Sequence, residues 1–224
     1  MPIKKLLILI GILGAIQFLV LTTYAMWLYP GGTIHNASLD SYDFWMNYFS
    51  DLGRTHTFDR TPNWACHYLF KTSITISGIC IVLFFSTLVS FFAAPFTKFL
   101  AVVATFFGMA AGVFYVALAW LPYDVYFYEH RYAVQVGFVA FLLMSMFYAA
   151  AVFQEKKYPN RYGWTFIIFM LILAPQIGIM IFGPRSWTSP NALFLQATSQ
   201  KIVVYSEILV LLFQAVGLWR LHGR

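Results

Sequence analysis

What this sequence has least of is charge. Only 10% of its 224 residues are Asp, Glu, Lys or Arg, while 61% are hydrophobic. A soluble domain carries roughly 25% charged residues, so a mean hydropathy of +0.73 excludes that class and points to a bilayer. Cysteine is scarce too. Cys66 and Cys80 fall in one expected helix, fourteen residues apart, or about 21 Å along its axis, which excludes a disulfide between them. No His-Glu-x-x-His, phosphate-cradling Gly-rich loop, haem motif or internal repeat is present. The 14 basic residues exceed the 8 acidic ones. They lie mostly at the ends of apolar runs, where they anchor helices against anionic headgroups, so the basic balance speaks for a membrane and against nucleic acid.

What the sequence does have is apolar runs. Lys4 and Lys5 precede the first, over about residues 6–29, which exceeds the roughly 7–15 apolar residues of a cleavable signal. Five more follow, over about 63–92, 99–120, 132–153, 164–182 and 200–219. Each is near the ~20 residues needed to cross a hydrocarbon core. The fold expected is an all-α bundle of six transmembrane helices, forming one domain over residues 1–224. An even number of spans puts both termini on one side. Lys4, Lys5, Lys98, Lys156, Lys157, Arg161, Arg220 and Arg224 fall there; Arg54, Arg60, Arg131 and Arg185 fall opposite, with Lys71 and Lys201 just inside helices. Positive-inside bias therefore predicts cytoplasmic termini in a plasma or inner membrane.

Acid is concentrated where the bases are not. Asp40, Asp43, Asp51 and Asp59 make half of the eight carboxylates, all in the gap at residues 30–61. Pro30-Gly31-Gly32 stops the first helix, since proline lacks a donor and glycine takes the turn. Ser41 is placed to cap a short helix with Phe44, Tyr48 and Leu52 at four-residue spacing, and Gly53 suits a left-handed terminus. This aromatic collar is expected on the outer face. Thr61-Pro62 reads as the start of the second span. Pro175-Gln176 reads as an interruption of the fifth.

The polar residues of the outer gaps and outer half-spans are the site candidates. Asp51, His67, Asp124 and His130 supply carboxylate and imidazole, the ligands and bases that a divalent metal or a metal-assisted hydrolase or transferase would use; the same residues also read as loop groups tying helix ends together. Asp51, Asp124 and His130 are expected to converge. Ser50, Asp51, Arg131, Gln135, Gln176 and Lys201 are candidates for contacting a ligand. Lys71 and Glu207 lie about 13 and 10 Å into their spans and are expected to form a buried ion pair, because a lone charge in hydrocarbon is costly. Gln200, Glu207 and Gln214 recur every seven residues and should share one inward stripe. Gly108-x-x-x-Gly112 is a close-packing motif.

Tyr29-Pro30-Gly31-Gly32-Thr33, Asn47-Tyr48-Phe49-Ser50-Asp51-Leu52-Gly53-Arg54, Leu121-Pro122-Tyr123-Asp124 with His130, and Gln200-Lys201-Ile202 together resemble a prokaryotic six-helix membrane family. That family is catalogued as a domain of unknown function and is distantly similar to the DRAM, FRAG and SFK membrane proteins. The resemblance runs the length of the chain, and its most specific piece is the Ser-Asp-Leu-Gly segment. It implies six spans with the polar segments outside, and it tilts the functional expectation towards lipid. The expectation that results is an outward-facing polar pocket that binds or handles a lipid or another amphiphile. The alternatives are the metal-assisted enzyme above and an ion-coupled transporter built on Lys71 and Glu207.

Overall fold

The computed structural model describes residues 3–222; Arg224, counted among the basic residues above, lies outside them. Six helices account for most of it: α1 (Ile3–Leu28), α2 (Trp64–Leu88), α3 (Pro95–Trp120), α4 (Phe127–Gln154), α5 (Asn160–Phe182) and α6 (Pro190–His222). Each is long and apolar enough to cross a membrane. The side chains left outside the core are those a lipid would touch, such as Phe106, Leu171 and Leu209. Trp27, Trp64, Trp120 and Tyr128 are also exposed at the helix ends nearest the collar, and Trp187 in the connection between α5 and α6, the position of an interfacial aromatic belt.

Sequential helices pack side by side, and α6 returns to α1, closing a ring in chain order. Water does not drive helices together within hydrocarbon, so close backbone approach must. The α2–α3 crossing shows how. A Cβ on Gly78 would meet the Gly112 carbonyl oxygen at 2.5 Å, one on Gly112 would meet the Gly78 oxygen at 2.7 Å, and one on Gly108 would meet the Phe85 ring at 2.6 Å. At the termini end, Tyr148 stacks between Phe85 and Phe166, with ring centroids 5.8 and 5.5 Å away, and its hydroxyl is hydrogen-bonded to Thr105.

Several expected boundaries move. α2 starts at Trp64, because Pro62 is engaged in a bridge with His56. α4 starts five residues before its expected span and takes Glu129, His130 and Arg131 into the helix; α6 starts at Pro190, ten residues early. α5 continues through Pro175 without a break. The expected collar helix from Ser41 is replaced by turns, and only a single 3₁₀ turn, Phe49–Gly53, is helical. Gly31 and Gly32 do take positive φ, 126° and 86°, as expected of that turn, whereas Gly53 does not. What excludes a side chain at Gly53 is Phe70, whose ring a Cβ would meet at 2.5 Å.

Candidate functional site

The 3₁₀ turn sits over the end of the ring, touching α1, α2 and α6. It is fastened there by most of the polar groups singled out from the sequence. Asp51, 2% exposed, accepts hydrogen bonds from Asn47 Nδ2 at 3.1 Å and the Tyr48 amide at 2.9 Å. Burial pushes its carboxyl above the ordinary value, opposed by Arg54, Asn47, Tyr48 and Lys201. Asn47 also donates to the Gly32 carbonyl at 2.9 Å and accepts the Asp43 amide. Lys201, equally buried, donates to the Asn47 carbonyl. Its ammonium faces the rings of Phe44, Tyr42 and Phe49 at 5.3, 5.5 and 5.9 Å, which offset part of its lost hydration. Gln200 accepts the Phe49 amide at 3.1 Å.

α2 holds the other side. His67 Nδ1 binds the Gly53 carbonyl at 2.8 Å, and Asn63 Nδ2 donates to the carbonyls of Leu52 and Arg54. From the α3–α4 connection, Asp124 accepts the Thr55 hydroxyl at 2.6 Å and the amides of Thr55 and His56. Burial acts to raise its carboxyl, but the Thr55 and His56 donors outweigh it and hold it below the ordinary value.

These fastenings correct two expectations. Asp51, His67, Asp124 and His130 are not assembled as one metal site: each is committed to a different backbone segment, His130 Nδ1 to the Leu121 carbonyl at 2.6 Å. Among the described residues, no group of three His, Cys, Asp or Glu side chains is placed to hold a metal ion. The Lys71–Glu207 pair does not form either. α1 lies between α2 and α6 in the ring. Lys71 turns towards α3 and places its ammonium 3.6 Å from the Trp120 ring centroid, while Glu207, inside the ring, accepts the Tyr115 hydroxyl at 2.5 Å. A lysine stem long enough to reach the interfacial aromatics needs no buried partner.

Beside the collar the ring end opens into a mouth of about 80 Å³. Tyr48 and Ser50 line it from the collar, His130, Arg131 and Val134 from α4, Gln176 and Met180 from α5, and Gln196 and Gln200 from α6; Arg185 and Trp187 reach it from the α5–α6 connection. The polar lining carries two guanidinium groups and no carboxylate. Gln176 is 3% exposed, and its Oε1 has no hydrogen-bond partner among the described residues. Gln196 pins the α5–α6 turn by donating to the carbonyls of Ile179 and Pro184.

Of the ligand-contact candidates, the mouth therefore contains Ser50, Arg131 and Gln176. Gln135 is half-buried on α4 outside its lining, and Asp51 and Lys201 are spent on the collar. His130, expected as a metal ligand, lines the mouth instead. Tyr123, Arg185, Ser186, Trp187 and Gln196 also line it but were not singled out from the sequence. The signal for Gln196 was present: Ser189-Pro190 is a cap followed by proline at a first helical position, and it starts α6 early enough to put Gln196 on the helix. Comparison with known proteins returns no matching family model, no matching curated protein and no matching solved structure.

Proposed function

We propose that this integral membrane protein binds an amphiphile through an anionic headgroup held in the mouth beside the collar. The observation that carries the reading is the lining itself, with Arg131 and Arg185 on one cavity and no carboxylate to neutralise them. Guanidinium groups match phosphate and carboxylate geometry. The side-chain NH2 groups of Gln176 and Gln200 can donate to the oxygens of such a group. The aromatic side chains around the opening suit the level where lipid headgroups lie. The resemblance to a six-helix family, which tilts the expectation towards lipid, agrees with this reading. On this reading the mouth faces outward and the termini lie in the cytoplasm of a cell bounded by a plasma or inner membrane.

Native mass spectrometry on gently purified protein, presented with anionic and zwitterionic lipids, tests the reading. We expect anionic species to be retained selectively. Arg131→Gln and Arg185→Gln should each weaken retention, by about tenfold or more if each supplies one charged hydrogen bond worth roughly 1.5–3 kcal/mol. Lys98→Gln removes a positive charge from the opposite end of the ring and should change nothing. Retention indifferent to both arginines, or equally sensitive to Lys98, would make the binding non-specific and remove the site.

A further inference from the structure

The mouth does not end at the collar. Ser50, His130, Val134 and Gln200 also line a second cavity, of about 50 Å³, walled otherwise by apolar side chains including Phe18, Phe70 and Phe138. Phe18, Tyr115 and Val204 of that cavity in turn line a third, of about 30 Å³, which reaches Phe84, Glu207 and Leu211. The three share walls in succession along the inside of the ring. Their surfaces change from polar to apolar with depth, and the one acid on the way, Glu207, already accepts the Tyr115 hydroxyl.

The depth of this tract is informative. Gln200 at the mouth and Leu211 at the foot are eleven residues apart on α6, which is about 16 Å along the axis. A hydrocarbon core is ~30 Å thick, so the tract is as deep as one leaflet. Its width is informative too. A cavity of roughly 10–15 Å³ holds one water; the deep cavities, at about 50 and 30 Å³, admit a single file of methylenes and leave no room for a second.

We infer that the ring interior is an acyl-chain tract and that the ligand is a single-chain amphiphile with an anionic head. The head lies at Arg131 and Arg185. The chain passes the collar turn at Ser50 and lies between Phe18, Tyr115 and Val204, with its end near Leu211. This deepens the headgroup reading above and rests on it. A diacyl lipid meets only one of its chains' requirements here, so the site selects for chain number as well as head charge.

The test is a series of monoalkyl phosphates from hexyl to hexadecyl, titrated against the full chain in detergent or nanodiscs. Affinity should rise about fourfold for each methylene buried and then level off once the chain fills the tract. Val204 lines both the middle and the deep cavity, so Val204→Phe should move the plateau to shorter chains and weaken the long esters more than hexyl phosphate. Val204→Met is the milder version, should the larger ring impair folding, and should move the plateau less in the same direction. A plateau at the same chain length in the wild type and in both variants would overturn the tract. So would a dialkyl phosphate binding as tightly as the monoalkyl ester, or inorganic phosphate competing as well as hexyl phosphate. Failure of the headgroup reading looks different: hexyl phosphate would ignore Arg131→Gln and Arg185→Gln, whatever the plateau did.

Discussion

Lys71 and Glu207 occupy similar depths in their helices, and the expectation that they pair rests on that shared depth and on the cost of a lone charge in hydrocarbon. Depth does not fix azimuth. The ring places α1 between their helices, so each charge finds a local answer: the Trp120 face for Lys71 and the Tyr115 hydroxyl for Glu207. Substitutions should accordingly act independently. Lys71→Met should cost about 0.5–1 kcal/mol through the lost cation–π contact. Glu207→Leu should cost about 1–3 kcal/mol, because it strands a buried tyrosine hydroxyl, and Glu207→Gln, which keeps an acceptor, should cost less. The double variant Lys71→Met/Glu207→Leu should equal the sum within about 0.5 kcal/mol, as read by unfolding in detergent. A double variant more stable than that sum would restore the pair. Asp124 offers a second residue-scale test. Its carboxyl is held below the ordinary 3.8 by the Thr55 and His56 donors despite partial burial. A carboxyl depressed in the folded state adds stability that is complete above its unfolded value and is lost as pH falls through its folded value. The amides of Thr55 and His56 should therefore lose hydrogen-exchange protection on acidification below 3.8, and Asp124→Asn should show that loss at neutral pH. Protection unchanged by the substitution would mean the collar is held without this tie.

At the scale of elements, the sequence was most legible where hydrophobicity runs long. All six helices were expected, and the Gly108-x-x-x-Gly112 motif lies at a real crossing, opposite Gly78. The stripe of Gln200, Glu207 and Gln214 does face inward, with Gln214 donating to the Tyr162 carbonyl and the Thr165 hydroxyl at 2.8 Å. Helix ends were less legible, because hydropathy marks where a helix enters hydrocarbon and not where its hydrogen bonding begins. Polar first turns such as the one carrying Glu129 and His130 in α4, or the Ser189-Pro190-Asn191 start of α6 that puts Gln196 on that helix, look like loop by composition. The collar is hard to read from sequence for a related reason. Its four-residue aromatic spacing mimics a helix, yet the chain there is folded by side chains pairing with backbone, as Asn47 and Asp51 do, and such pairings span elements that a local window does not join. Glu155 is another instance. It sits in a basic turn, where it reads as a surface charge, but it reaches across to accept the Ala93 amide at 3.0 Å, the Ala94 amide at 3.4 Å and the Thr97 hydroxyl at 2.8 Å, placing a carboxylate at the N-terminus of α3, where its charge suits the helix dipole.

At the scale of the whole molecule, the two ends of the ring differ in kind. The termini end carries the basic turns: Lys4, Lys5, Lys98, Lys156, Lys157, Arg161 and Arg220, with Arg224 beyond the described residues. The collar end carries Arg54, Arg60, Arg131 and Arg185, with most of the acid, the fastened 3₁₀ turn and the mouth. Lys71 and Lys201 belong near the collar end by position, but Lys201 is sealed beneath the collar and cannot attract a lipid surface. Each exposed base near an anionic leaflet is worth about 1 kcal/mol, and loops of this shortness are those in which that bias orients a chain during insertion. The termini end should therefore face the cytoplasm. A reporter active only in the cytoplasm, fused after Arg224, should work, and the same reporter inserted in the exposed loop at Asp59-Arg60 should be silent. Moving the bias should move the molecule: replacing Lys156, Lys157 and Arg161 with glutamine should populate the inverted form, seen as activity from the loop reporter. If the loop fusion were active and the C-terminal fusion silent although well expressed, the orientation would be the reverse. The arginine-lined mouth would then open to the cytoplasmic leaflet, and its ligand would have to come from there.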